Sequence, residues 1–162
     1  IFCRNCSLLK KKDLESHKDR VLLLDKFNKD VKQVIETDYY KKQISENKSI
    51  IKKILSITKK NPTKILDYGC GYGSYMFAGK ELGFTMNGYD INKNFTENLS
   101  HHFETFKSQN ALLNDNNLRE YDLIFCRKVL TLSSNIYKDF RNFNDLLSSN
   151  GCLVVMDQVK NI

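Results

Sequence analysis

The sequence predicts an α/β fold in which a mostly parallel sheet carries helices on both faces, preceded by a helical N-terminal segment. Three observations predict it. From residue 64 onward, short apolar runs alternate strictly with helical stretches, the pattern of a doubly wound sheet. The first of these runs ends in glycines at alternate positions, a turn that opens a helix. The chain has 162 residues, 41% of them hydrophobic, about the length of one domain and enough to bury a core.

Each element follows in order. In residues 8–47 the run Val21–Leu24 and the apolar positions Phe27, Val31, Val34 and Ile35 keep the helical period, which predicts an amphipathic helix over about 18–36. Tyr39-Tyr40 follows. Ile50, Ile51, Ile54, Leu55 and Ile57 then mark a helix over about 47–60, stopped by Asn61-Pro62. The boundary between an N-terminal leader and the main domain is set at 46/47. Lys64–Tyr68 is a strand, residues 69–73 are a turn, and a helix over about 74–82 ends at Gly83. Phe84–Asp90 is the second strand, followed by a polar helix (93–102), a short strand (103–106) and an Asn-rich loop. Tyr121–Cys126 is a buried strand. A helix over about 135–148, a turn at Asn150-Gly151 and a strand at 152–156 complete the series.

Charge and cysteines narrow the class. The formal charge of +7 is uneven: residues 1–64 carry 17 Lys and Arg against 8 Asp and Glu, net +9, and residues 65–162 carry 9 against 11, net −2. A basic segment can attract nucleic acid or an anionic membrane. Here, however, Lys outnumbers Arg 21 to 5 and Asn occurs 17 times, a bias that AT-rich coding produces by itself, and Lys is the poorer choice for bidentate recognition. A nucleic-acid partner is therefore not the favoured reading. No apolar run reaches the ~18 residues of a spanning helix, and no leader resembles a signal peptide. Cys70, Cys126 and Cys152 lie singly in or beside strands, which suits reduced thiols in a cytoplasmic protein. Cys3 and Cys6 have the C-x2-C spacing of a tetrahedral zinc half-site. Either their partner ligands precede Ile1 or there is no site. A chain that opens on Ile1 and closes on Asn161-Ile162 is expected to be part of a longer protein.

The loop Asp67-x-Gly69-x-Gly71-x-Gly73 falls at the carboxyl end of the first strand, where ligands of such sheets bind. Its glycines admit unusual dihedrals and close approach, and the following helix offers N–H groups to an anion. It is not a dinucleotide fingerprint, because Ser74 stands where the third glycine of G-x-G-x-x-G belongs. Asp90 ends the second strand 23 residues after Asp67, at the distance where nucleoside sites place an acid for the ribose hydroxyls.

With these features in place, the sequence resembles the class I S-adenosylmethionine-dependent methyltransferases. Ile65–Gly73 looks like their first motif, Asn87–Ile91 like their second, Tyr121–Phe125 like their fourth-strand motif, and Leu146–Gly151 like the segment before their fifth strand. The resemblance implies a Rossmann-like sheet of order 3-2-1-4-5, lacking here its terminal hairpin. It also implies a cytoplasmic enzyme that transfers a methyl group from S-adenosyl-L-methionine to a small-molecule or sugar-type acceptor. Residue by residue, it implies that Asp67, Tyr68, Gly69, Cys70, Gly71 and Gly73 hold the methionine end. Asp90 would take the ribose hydroxyls, Ile91 one face of the adenine, and Asn110 with Ala111 the adenine edge. Arg127 completes the cofactor set.

The N-terminus extends the likeness. Cys3-Arg4-Asn5-Cys6-Ser7-Leu8 and Tyr39-Tyr40 resemble the remnant of a zinc ribbon and the tyrosine pair of a subset of these enzymes, so a structural zinc on Cys3 and Cys6 with upstream ligands is expected in the parent protein. There are departures as well. Val129-Leu130-Thr131-Leu132 lacks the acid and histidine that the family often has there, and His101 and His102 fall on the polar helix. No catalytic residue is assigned, since an in-line transfer from a sulfonium needs positioning more than a base; Asp157, Tyr39 and Tyr40 are the nearest candidates for one. A non-catalytic binding module and an RNA-modifying methyltransferase are the competing readings.

Overall fold

The computed structural model describes residues 31–114 and 120–156. Helices α1 (Val31–Ile35) and α2 (Asp38–Thr58) lead into β1 (Lys64–Tyr68), α3 (Ser74–Glu81), β2 (Thr85–Tyr89), α4 (Lys93–Leu99), β3 (Glu104–Phe106), α5 (Gln109–Asn114) and β4 (Tyr121–Arg127). A 3-10 turn (Leu130–Leu132), α6 (Ile136–Leu146) and β5 (Leu147–Met156) follow. The five strands form one sheet of order β3-β2-β1-β4-β5, and every pairing is parallel. The predicted strand order is therefore the observed one, and β1 sits at its centre.

Alternation along β1 divides the core. Ile65 faces a layer with Ile51 of α2, Met76 and Ala78 of α3, Leu99 of α4 and Leu123 and Phe125 of β4. Leu66 and Tyr68 face the other layer, with Ile124, Cys126, Leu112 of α5 and Phe143 and Leu146 of α6. Each such side chain contributes ~1.5–3 kcal/mol when fully buried, so both layers hold the sheet between its helices.

Several boundaries differ from expectation for local reasons. Of the helix expected over 18–36, only Val31–Ile35 lies among the described residues. The next helix starts at Asp38 instead of about 47, because Thr37 accepts a hydrogen bond from the Tyr40 N–H and caps it there. It runs unbroken through position 46/47. The Asn-rich stretch contains α5, a helix of 6 residues with Leu112 as its one buried anchor. The polar helix stops at Leu99, so His101 and His102 follow it in a turn. The expected turn at Asn150-Gly151 is a bulge inside a longer strand: Tyr121 pairs with Leu147, but Leu123 pairs with Cys152. Val155 on β5 is 41% exposed. Among the described residues no helix is long and apolar enough to cross a membrane.

Candidate functional site

At the carboxyl end of β1 the chain turns through residues 69–73 into α3. Gly69 and Cys70 both donate their N–H groups to the Tyr89 carbonyl at the end of β2, at 2.7 and 3.0 Å, which pins the loop against the neighbouring strand. Gly69 has φ +84°, and a Cβ on it would fall 2.2 Å from Val129 Cγ2. Gly73, φ +76°, caps α3 with its would-be Cβ 2.7 Å from Leu99. Both positions thus require glycine for conformation and for space. Gly71 differs: its φ is +51°, yet nothing lies within 4 Å of where its Cβ would be. The backbone there faces open space.

Asp90 organises this cradle. One carboxylate oxygen accepts the Gly71 N–H at 2.8 Å and the other accepts the Asn92 N–H at 2.8 Å. Burial raises its pKa, opposed by the bonds from Asn92, Gly71 and Ile91. Ile91 follows, half-buried, and Asn92 caps α4 through its side chain.

Asp67, 4% exposed, receives no hydrogen bond from a described residue. Burial pushes its pKa up to about 7, the Arg127 guanidinium pulling it down and the Asp90 carboxylate pushing it up. Arg127, the last residue of β4, lies over the Tyr75 ring at 4.7 Å, a cation–π contact that fixes the guanidinium at the strand ends. Tyr75 was not among the expected site residues; it lies in the first turn of α3, and its hydroxyl points to Met156 Sδ at 3.8 Å.

The loop is also held from α2. The Tyr40 hydroxyl donates to the Tyr72 carbonyl at 2.5 Å, and Asn47 Nδ2 donates to Ser74 Oγ at 3.0 Å. These two bonds bracket Gly73. Tyr40 is 1% exposed and Tyr39 70%. Burial, with the Asp67 charge behind it, raises the Tyr40 pKa well above the ordinary phenol value, and its hydroxyl is engaged in anchoring the loop. Cys70 is likewise inert, its pKa raised by burial first and by Asp67 and Asp90 after it.

Tyr68 turns to the other face of the sheet. Its ring packs against Tyr89 and Phe143, with centroids 4.6 and 4.8 Å away, so only its backbone borders the loop. Asn110 and Ala111 form the start of α5 beyond β3, exposed, with no described contact to Asp67 or Asp90. The His102 ring packs on Phe77 at 5.4 Å, away from the strand ends. Cys3, Cys6 and Asp157 lie outside the described residues. Among those described, no group of three or more His, Cys, Asp or Glu is placed to hold a metal ion.

The buried acceptors and the bare Gly71 backbone fit a nucleoside bearing an amino-acid arm: Asp90 for vicinal hydroxyls, and Asp67 and Arg127 for opposite charges. No curated protein matches the chain. Among solved structures, the plantazolicin methyltransferase BpumL, in complex with a monoazolic desmethylPZN analogue and SAH, superposes with a TM-score of 0.60 at 16% identity, over 88% of this chain and 53% of its own. A Methanococcus maripaludis protein assigned as an S-adenosyl-L-methionine-dependent methyltransferase gives 0.58 at 18% identity over 93% and 67%. A Galdieria sulphuraria protein assigned as a sarcosine dimethylglycine methyltransferase gives 0.54 at 20% identity over 68% and 46%. The chain thus spans about half the length of BpumL. These likenesses establish a shared fold, and a family model described as a methyltransferase domain matches residues 39–161; the chain belongs to that family.

Proposed function

We propose that this chain is the S-adenosylmethionine-binding part of an enzyme that methylates a small-molecule acceptor. The observation that carries the reading is the carboxylate of Asp90 holding the Gly71 N–H at 2.8 Å beside a backbone position open to a ligand. When bound, S-adenosylmethionine supplies an electrophilic methyl group on a sulfonium. Asp90 accepts from the ribose hydroxyls with the lone pairs its backbone bonds leave free. Ile91 covers one face of the adenine, and Asn110 with Ala111 borders its edge. Asp67 takes the ammonium and Arg127 the carboxylate of the amino-acid end; a bound cation draws Asp67 back to its ionised form. Tyr40 and Asn47 keep the loop in place while the acceptor is aligned, and alignment supplies most of the rate gain in such a displacement. No described side chain is assigned as a base.

A small acceptor is supported by the charge near the strand ends, where the Asp67 carboxylate senses both the Arg127 guanidinium and the Asp90 carboxylate. Four of the 17 Lys and Arg of residues 1–64, Lys41, Lys42, Lys52 and Lys53 on α2, are exposed to solvent. The intact glycine cradle favours an enzyme over a non-catalytic module. Isothermal titration of the full-length protein with S-adenosylhomocysteine tests the reading. Saturable binding lost in Asp90→Ala is expected; no heat at millimolar ligand with a folded sample would overturn it.

A further inference from the structure

A buried carboxylate lies on the Tyr68 face of the sheet, opposite Asp67. Asp139, in the first turn of α6, is 9% exposed and forms no ion pair among the described residues. Its Oδ1 accepts from Gln109 Nε2 at 3.0 Å and from the Tyr68 hydroxyl at 3.3 Å, and its Oδ2 accepts from Ser133 Oγ. Gln109 Nε2 also donates to the Tyr68 hydroxyl. One carboxylate thereby ties together the end of β1, the first residue of α5, the segment after β4 and the start of α6.

Burying an anion without a cation is costly compared with an apolar side chain of the same size. The donors and the N-terminal end of an 11-residue helix offset that cost. What the arrangement fixes is direction. Helix α5 has 6 residues and one buried apolar anchor, too little to set its own orientation, and its N-terminal residue is the one the carboxylate grips. Asn110 is the next residue.

We propose that Asp139 and Gln109 are positioning residues for adenine recognition: they set the course of the first α5 turn, so that Asn110 and Ala111 meet the purine edge. The proposal rests on the cofactor reading above. A cluster that only held the fold together would, when broken, lower the binding-competent fraction and weaken all nucleoside ligands by the same factor. A positioning cluster changes selectivity.

The test uses the full-length protein and two ligands, S-adenosylhomocysteine and its analogue lacking the purine 6-amino group, with Kd by calorimetry and the melting temperature as a folding control. Asn110→Ala calibrates the ratio of the two Kd values, and Gln109→Leu and Asp139→Asn probe the cluster. The expected result is that Asn110→Ala brings the ratio toward one, and that Gln109→Leu, with Asp139→Asn, reduces it by up to about tenfold, the worth of one hydrogen bond. If Asn110→Ala lowers the ratio while both cluster variants keep the wild-type value, the positioning role is overturned and the cofactor reading stands. If Asn110→Ala leaves the ratio unchanged while S-adenosylhomocysteine still binds, the adenine assignment fails and this inference fails with it. Absence of binding in the wild type overturns the cofactor reading itself. Should Asp139→Asn not fold, Gln109→Leu decides alone, since Gln109 is half-buried at a helix start.

Discussion

On the face covered by α2, α3 and α4 stands Asp67, buried and without a described donor. On the face covered by α5 and α6 stands Asp139, also buried but bonded through both oxygens. Asp67 is followed directly by Tyr68, whose hydroxyl bonds to Asp139, so strand alternation sends two neighbouring side chains into opposite chemistries. The difference teaches which face is built to receive a ligand. An acid whose acceptors are left open carries a cost in folding, and such strain is found where a site needs it.

The largest effect that could break this comparison comes from Asp90→Ala. That variant loses the acceptor of the Gly71 N–H and the proposed ribose contacts together, and its affinity for S-adenosylhomocysteine should fall by about a hundredfold or more, ~3–4 kcal/mol, measured by calorimetry. Retained affinity would mean that the cradle is not the site.

Asp67→Asn is next. The folded pKa of about 7 lies above the ordinary carboxyl value of 3.8; as pH rises between them, the unfolded chain has released a proton that the folded chain keeps. Stability therefore falls with rising pH across that window, by ~1.4 kcal/mol per unit at most, and levels off above it. Asp67→Asn should flatten the profile and leave the ligand-free protein ~2–4 kcal/mol more stable at pH 8, while binding the cofactor more weakly. Denaturant melts at pH 5 and pH 8 would check it.

The same exchange on the other face has the opposite sign. Asp139→Asn loses charge-assisted bonds and should cost ~1–2 kcal/mol. If both Asp-to-Asn variants stabilise, or both destabilise, the two faces do not differ as described. The smallest effect is that of Tyr40→Phe, which removes the bond to the Tyr72 carbonyl. It should lower stability by ~1 kcal/mol and weaken the cofactor severalfold, seen as a paired shift in melting temperature and Kd.

What could be read in advance follows the length over which each signal is written. The strand, glycine loop and second acid lie in short contiguous stretches with strong local preferences, and β1, Gly69 to Gly73 and Asp90 appear where expected. Helix α5 did not announce itself, because it has only 6 residues, half of them Gln or Asn, and is held by Leu112 and the Gln109 bonds. The start of α2 was missed because a single cap, Thr37, sets it in a charged stretch. The contacts of Tyr40 with Tyr72, Asn47 with Ser74 and Asp139 with Tyr68 join residues 32, 27 and 71 positions apart. Nothing in the local sequence of an Asn or a Tyr marks such a partner. Arg127 was expected from the resemblance, whereas Tyr75, which fixes its guanidinium, carried no signal beyond an ordinary helical aromatic.

The two bonds of Asp90 to the backbone have a consequence for how this site can vary. The carboxylate that shapes the loop is the one assigned to the sugar, so the two duties share one pair of oxygens. A change that retuned the sugar contact would also redraw the path of the main chain through Gly71, and a change that redrew the loop would move the sugar. Neither can drift alone. Diversification of such a domain toward new acceptors is thereby channelled away from the nucleoside end, into the helices and segments that flank it.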